Sequence, residues 1–288
     1  MFRTALKRFQ NKWKSYRHRF VPWLVLNLGK NERTLRQVTE RSKDKLVSDE
    51  EVSQSLLKLF RVLLRTDITQ HGEALGLNHE THYARQARNK EEKYGGRPVG
   101  GLDAMLQSMG FCLERRPSTL PFAGTGVFVT RGFVPKGTTV AMYPGTVYQV
   151  YEPIFFQSIR NPFVFRCIDG VLIDGNDKGI SKIVYKSCSG RDRLGPFMLS
   201  DTSWLTTDPH NQLAVGQYVN NCSNDRSANV CYQEYDVPSA FPLELRRYLP
   251  NVNYSHDTQR PVRCVVLVSL RDIRAGEELF SNYYTIVH

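Results

Sequence analysis

Arg274-Ala275-Gly276-Glu277-Glu278-Leu279-Phe280-Ser281-Asn282-Tyr283-Tyr284 is the stretch on which the reading of this 288-residue chain turns. It follows Cys264 to Ser269, an apolar run of strand length, and opens with a glycine turn. Two earlier segments belong with it: Tyr218-Val219-Asn220-Asn221-Cys222, and Gly124-Thr125-Gly126. A lone G-x-G is usually just a turn. The dinucleotide-binding reading fails on context, because the third glycine is missing and Val127-Phe128-Val129 continues as a strand where a helix should open. What remains is a loop whose backbone a ligand can approach closely.

Outward from these segments, everything after Phe122 has the texture of short strands broken by turns. Val127 to Val129, Thr138 to Tyr143, Val147 to Val150, Phe163 to Arg166, Val171 to Ile173, Val230 to Tyr235 and Cys264 to Ser269 are the candidates. Many short strands without long alternating helices predict folded-up antiparallel sheets, not a parallel α/β sheet. The likeness of 130–137 to 270–276 reads as two tight turns after strands.

The first hundred residues differ. They carry 21 Lys/Arg against 11 Asp/Glu, whereas residues 101 to 288 carry 18 against 17, so the net charge of +11 belongs to the N-terminal region. Phe2, Leu6, Phe9, Trp13, Tyr16 and Phe20 form a helical stripe among basic residues. Three readings of that stripe stay open: docking on the main domain, binding a protein, nucleic-acid or membrane-surface partner, and mitochondrial targeting. Ser48-Asp49-Glu50-Glu51 is a capping box ahead of Val52, Leu56, Leu59, Phe60 and Leu63, which predicts a packing helix. Periodicity then fades from about Gln70 to Gly101, the composition of a linker or mobile loop. His79-Glu80-Thr81-His82, inside it, is one residue short of the zinc-helix spacing. Leu102, Met105, Leu106 and Met109, closed by Gly110, predict a short helix. The expected organisation is therefore a basic helical region at 1–69, a linker at 70–101, a short helix leading in at 102–121, and a mainly β domain at 122–288: an α+β chain.

Six cysteines without a C-x-x-C pair read as reduced thiols, no metal site is expected, and no apolar run approaches the ~20 residues of a membrane span. An intracellular protein is expected, nuclear or cytoplasmic, with the basic N-terminus leaving the mitochondrion open.

Taken in order, the pieces resemble the SET domain of protein lysine methyltransferases. Gly124 to Gly126 is similar to the family's opening G-x-G, Tyr143-Pro144-Gly145 to its Y-x-G element, and Tyr218 to Cys222 to its N-H-S/C element. Gly276 to Tyr283 matches the closing G-E-E-L-x-x-D-Y at all but one position. The resemblance implies S-adenosyl-L-methionine as cofactor and a lysine-bearing protein as substrate, hence a protein-lysine N-methyltransferase. The rival is a non-catalytic SET-fold module that binds partners. By the same resemblance, Gly124, Thr125 and Gly126 lie along the cofactor, and Asn220 and Asn221 hold its amino acid or adenine end. Tyr283 is the catalytic tyrosine beside the cofactor, and Tyr143 helps line the lysine channel. A pseudoknot-like C-terminus brings Tyr283 beside Asn220. Three positions depart from the pattern: Asn221 replaces the usual histidine, Asn282 the usual aspartate, and Ser281 stands where many members carry an aromatic. With no cysteine-rich tail before His288, the long inserts near 178–213 or 238–261 are expected to wall the channel. Neither metal nor nucleophilic side chain is implied, because an amine displaces the methyl group directly.

Overall fold

The computed structural model describes residues 16–18, 36–38, 45–74, 101–195, 197–223, 225–257 and 260–287. Strands β1 (Tyr16–His18) and β2 (Arg36–Val38) precede helix α1 (Asp49–Ala74). The capping box forms as expected: the Ser48 amide and hydroxyl both donate to Glu51 Oε2, and the Glu51 amide donates to Ser48 Oγ at 3.2 Å. These bonds hold the Glu51 carboxyl below the usual range. The buried Gln233 fixes the lead-in, its Oε1 accepting from the Leu46 and Val47 amides while its Nε2 donates to the Val47 carbonyl. The predicted face of Val52, Leu56, Leu59, Phe60 and Leu63 is buried.

Helix α2 (Gly101–Met109) stops where Gly110, at φ +84°, donates its amide to the Leu106 carbonyl. There follow β3 (Phe111–Pro117), β4 (Thr125–Val134), β5 (Thr139–Tyr143), β6 (Gly145–Tyr148), the one-turn α3 (Phe155–Ser158), β7 (Val164–Arg166), β8 (Leu172–Asp174) and α4 (Gly179–Arg191). The chain continues through β9 (Arg193–Leu194), β10 (Phe197–Met198), β11 (Asn220–Asn221), β12 (Val230–Asp236) and β13 (Asn251–Asn253). It ends in β14 (Arg263–Ser269), β15 (Ile273–Arg274), β16 (Phe280–Ser281) and β17 (Tyr284–Val287). The strands form small sheets in the orders β12-β14-β5, β15-β4-β3 and β13-β6-β8-β7, with β11 parallel to β16 and β17 between β1 and β2. All seven strands expected from the sequence are present to within a few residues.

Several expectations change. The helical stripe lies outside the described residues except at Tyr16–His18, which is a strand, because pairing with β17 supplies backbone partners that local periodicity does not register. Helix α1 runs on to Ala74, into the expected linker; residues 75–100, with His79 to His82, lie outside the described residues. Strand β3 was hidden by its polar Glu114-Arg115-Arg116, which needs only an edge partner, β4. The echoing segments are not two copies of a turn: β4 runs through to Val134 and pairs with β15 at Val134↔Ile273 and Phe133↔Arg274. The inserts carry structure of their own, α4 in the first and β13 in the second.

The apolar faces of α1 and α2 share one core with β5, β12 and β14. Phe60 meets Phe241 and Tyr248 at centroid distances of 6.2 and 5.6 Å, and two hydroxyl contacts, Ser53 with Tyr235 (buried) and Tyr248 with Asp67 (half-buried), close the seam. Among the described residues no helix is long and apolar enough to cross a membrane. Because Phe60 is fully buried in that seam, Phe60→Ala is expected to lower unfolding free energy by about 3–5 kcal/mol. Urea titration should show one cooperative transition shifted for the whole domain; an early, separate loss of helix signal would show α1 to be an independent unit.

Candidate active site

Short parallel pairing brings the C-terminal segment against the asparagine pair: Asn220 stands opposite Phe280 and Asn221 opposite Ser281. The Cys222 amide donates to the Ser281 carbonyl at 2.7 Å. Asn229, 1% exposed, clamps the same segment from the other side. Its amide donates to the Phe280 carbonyl, its Oδ1 accepts from the Phe280 amide at 2.8 Å, and its Nδ2 donates to the Glu278 carbonyl at 2.8 Å. This arrangement places Tyr283 where its amide donates to Asn221 Oδ1 (2.9 Å) and its hydroxyl donates to the Val219 carbonyl (2.8 Å). Tyr283 is thus bonded to both chain neighbours of Asn220, the residue it was expected to stand beside.

The glycine-flanked loop joins through Glu278. Only 5% exposed, its carboxylate accepts from Ser118 Oγ (2.6 Å), the Thr119 amide (2.8 Å), Thr119 Oγ1 (2.6 Å) and Asn220 Nδ2 (3.3 Å). A Cβ on Gly126 would collide with that carboxylate, so this glycine makes room for a side chain of the protein. Gly124, at φ +71°, faces open space. The Asn220 amide also donates to the Thr125 carbonyl at 3.1 Å, tying the loop to the asparagine pair. Glu277 instead forms the turn, pairing with Arg271 at 2.7 Å and accepting from the Arg274 amide, which keeps its carboxyl low.

Beside the loop lies a cavity of about 730 Å³, within the range of small-molecule sites. Gly124, Thr125, Arg115, Asp177, Gln212 and Tyr218 are among its lining residues; Gly126, Asn220, Asn221, Tyr143 and Tyr283 are not. The Tyr218 hydroxyl donates to Asp177 Oδ2 at 2.6 Å, and the Arg115 guanidinium lies 5.3 Å from the ring centre. Burial, then the hydrogen bond to Asp177, pushes the Tyr218 hydroxyl up to about 12. Arg115 is itself held by the Thr206 and Thr207 carbonyls, both at 2.8 Å. Insert 178–213 therefore borders this cavity, while insert 238–261 borders a different one.

An aromatic group lies against the threaded segment at Ser281. Tyr143, Phe165 and Tyr232 pack at centroid distances of 5.0 to 6.3 Å, and Ser281 Oγ meets Tyr232 Oη at 2.9 Å. Tyr143 is fully buried, with its hydroxyl donated to the Phe163 carbonyl at 2.8 Å. Burial above all, and then Tyr232, Tyr283 and Asp174, push that hydroxyl well above the ordinary tyrosine value. Phe163 spans the two halves, since its ring meets Tyr218 at 5.8 Å.

Sequence reasoning did not single out Asn229, Tyr232, Phe163, Arg115 or Asp177. For Tyr232 a signal existed: strand alternation from Val230 sends it to the face shared by Glu234. All six cysteines are buried and none forms a disulfide. Cys167, Asp169 and Glu234 bring donor atoms within 4.8 Å of one another, but the Arg263 guanidinium already binds Asp169 at 3.0 Å and Glu234 at 2.9 Å, supplying the positive charge there.

No family model matches the chain. SET domain-containing protein 9 of Homo sapiens is 57% identical over 293 residues, covering 98% of both chains. The protein of that name from Pongo abelii is 58% identical over 265 residues, 88% of this chain and 97% of the relative. Among solved structures, the Chaetomium thermophilum polycomb repressive complex 2 matches at 15% identity and TM-score 0.32, over 63% of this chain and 16% of that one. KRYPTONITE, solved with mCHH DNA, an H3(1-15) peptide and SAH, matches at 17% identity and TM-score 0.32, over 63% of this chain and 25% of that one.

Since the Asn229 side chain satisfies two backbone groups of the threaded segment in a buried setting, Asn229→Ala is expected to cost about 3 kcal/mol or more. Hydrogen exchange at the Phe280 amide should accelerate more than at β14; equal protection in the variant would refute the clamp.

Proposed function

The chain belongs to the SET domain-containing protein 9 family, and from that premise we propose that it is an S-adenosyl-L-methionine-dependent protein-lysine N-methyltransferase. The observation that carries the reading is the position of the Tyr283 hydroxyl, 2.8 Å from the Val219 carbonyl, on the segment that pairs with Asn220 and Asn221, the first of which bonds the Thr125 carbonyl of the glycine-flanked loop.

The cavity beside Gly124 fits the cofactor. Its volume suits a molecule of that size, Gly124 offers backbone with no side chain in the way, and Arg115 and Asp177 supply both signs of charge for a zwitterion. Gly124 and Thr125 would hold it together with Tyr218. Asn220 and Gly126 act one step behind, through Thr125 and Glu278, and Asn221 acts by holding the Tyr283 amide. When bound, the cofactor supplies an electrophilic methyl group on a sulfonium, open to in-line attack by an amine.

The remaining work falls to the chain. A free lysine has a pKa of about 10.4, so most of it is protonated at neutral pH. Low-dielectric aromatic walls favour the neutral amine by desolvation, which is the contribution of Tyr143, Phe165 and Tyr232. The Tyr143 hydroxyl is itself kept neutral, as the upward direction of its shift by burial indicates. An oxygen pair made of the Tyr283 hydroxyl and the Val219 carbonyl then orients the amine and accepts weak C–H contacts from the methyl group. Ser281 leaves the wall there small, with its own hydroxyl spent on Tyr232.

Tyr283→Phe is expected to keep the fold, by circular dichroism, and cofactor binding, by isothermal titration, while turnover on lysine peptide arrays with labelled cofactor falls well over tenfold. Unchanged methylation would remove Tyr283 from its role. Failure of the unmodified protein to bind cofactor would leave the non-catalytic SET-fold module in place of an enzyme.

A further inference from the structure

Seven of the fourteen large apolar side chains that stand exposed among the described residues fall between Val150 and Ile183. Exposed apolar residues scattered singly need no explanation, whereas a cluster does. At its centre are Phe155, Phe156 and Ile159, on and just after the single turn of α3, and Ile180 and Ile183 on the first turns of α4. These five are between 46% and 69% exposed, and none of them lines the cavity at Gly124.

The two helices are held together from below. Helix α3 packs against α4. The buried Asn161 ties both to strand β8: its Nδ2 donates to the Gln157 carbonyl at 2.8 Å and to Asp174 Oδ1 at 2.7 Å, and reaches Ser181 Oγ at 3.4 Å. Its Oδ1 accepts from the Phe163 amide at 2.9 Å. Ser181, Tyr185 and Cys188 form the buried side of α4, which turns Ile180 and Ile183 outward together, three residues apart. The apolar face is therefore fixed before anything covers it, and covering it costs little ordering.

Shape and charge choose what covers it. Phe155 and Phe156 are adjacent in the chain, 69% and 68% exposed, with ring centres 5.4 Å apart. Side chains that lie so open project as a knob; the walls of a groove built for a partner helix would be largely covered. Between residues 150 and 190 the exposed charges are Arg160, Arg166, Lys178 and Lys186 against Asp169, which lies 3.0 Å from Arg263. Glu152 and Asp177 are half-buried and accept from the Gln149 amide and the Tyr218 hydroxyl, and Asp174 is buried. Arg160 directly follows Ile159, and Lys186 stands one turn beyond Ile183. Two copies meeting through this face across a two-fold axis would set these cations against each other. An anionic lipid surface takes up an apolar knob without a matching cavity and attracts the cations beside it.

We propose that α3 and the start of α4 form a peripheral membrane-docking face. Phe155, Phe156, Ile159, Ile180 and Ile183 enter the headgroup boundary, and Arg160 and Lys186 meet anionic lipid headgroups. Lys182, on the flank of the same helix, lines the cavity at Gly124 and donates to the Leu205 carbonyl at 3.0 Å, so docking holds that cavity near the lipid surface.

The test mixes the full chain with phosphatidylcholine vesicles containing about one-third phosphatidylserine and reads co-sedimentation at physiological salt. Binding is expected, weakened at least about tenfold by Phe155→Ser with Phe156→Ser and by Arg160→Glu with Lys186→Glu. Melting temperatures should not change, because all four side chains are exposed. Vesicles of phosphatidylcholine alone should bind the unmodified chain more weakly. The proposal is overturned if the unmodified chain stays in the supernatant, if either folded variant sediments as it does, or if phosphatidylcholine alone captures it equally. It is also overturned if Phe155 and Phe156 instead govern self-association in sedimentation velocity, or binding of an acidic amphipathic helical peptide, while vesicle binding is unaffected. None of these readouts depends on methyl transfer.

Discussion

The architecture depends on one constraint: the C-terminal segment must pass beneath residues 220–222 and be held there by backbone hydrogen bonds. Two paired residues in β11 and β16 are too few to hold by themselves. The buried Asn229 makes the difference, satisfying donors and acceptors on Glu278 and Phe280 that a bare loop would leave unpaired. Because the segment carries Tyr283 only three residues beyond Phe280, fixing its backbone also fixes the hydroxyl against Val219.

Glu278 extends the same constraint to the glycine-flanked loop. A carboxylate this buried needs several donors, and it finds them on Ser118, Thr119 and Asn220. Its size in turn demands a glycine at 126. The closing motif and the opening motif are therefore one physical object, coupled by a buried charge. Gly124 remains the glycine that offers open backbone to a ligand.

Two different environments adjoin the threaded segment. Toward Gly124 the surroundings are polar, with Arg115, Asp177 and Tyr218 interlocked at a cavity rim. Toward Tyr143 they are aromatic and dry. The inserts do not act alike: residues 178–213 line the polar cavity and, at Asp192 to Leu199, a second one, whereas residues 238–261 line only the second, where Asn251 Nδ2 donates to the Tyr143 carbonyl.

The sequence by itself determined whatever is encoded locally. The capping box and apolar face of α1, the glycine stop of α2 and the seven short strands were legible because caps, turn glycines and alternation act within a few residues. Three of the ordered motifs, at 124–126, 218–222 and 276–283, are segments that the fold brings together. Only the tertiary structure decided what those residues touch. Gly126 answers to Glu278, Asn220 to Thr125, and Asn221 to the Tyr283 amide, while Tyr16–His18 leaves its helical pattern to pair with β17. Asn229 and Phe163 could not be picked out in advance, because their roles are contacts across tens of residues of chain. Hydrogen bonds and ring packing of that kind depend on the closure of the whole fold, and no local pattern of residues records them.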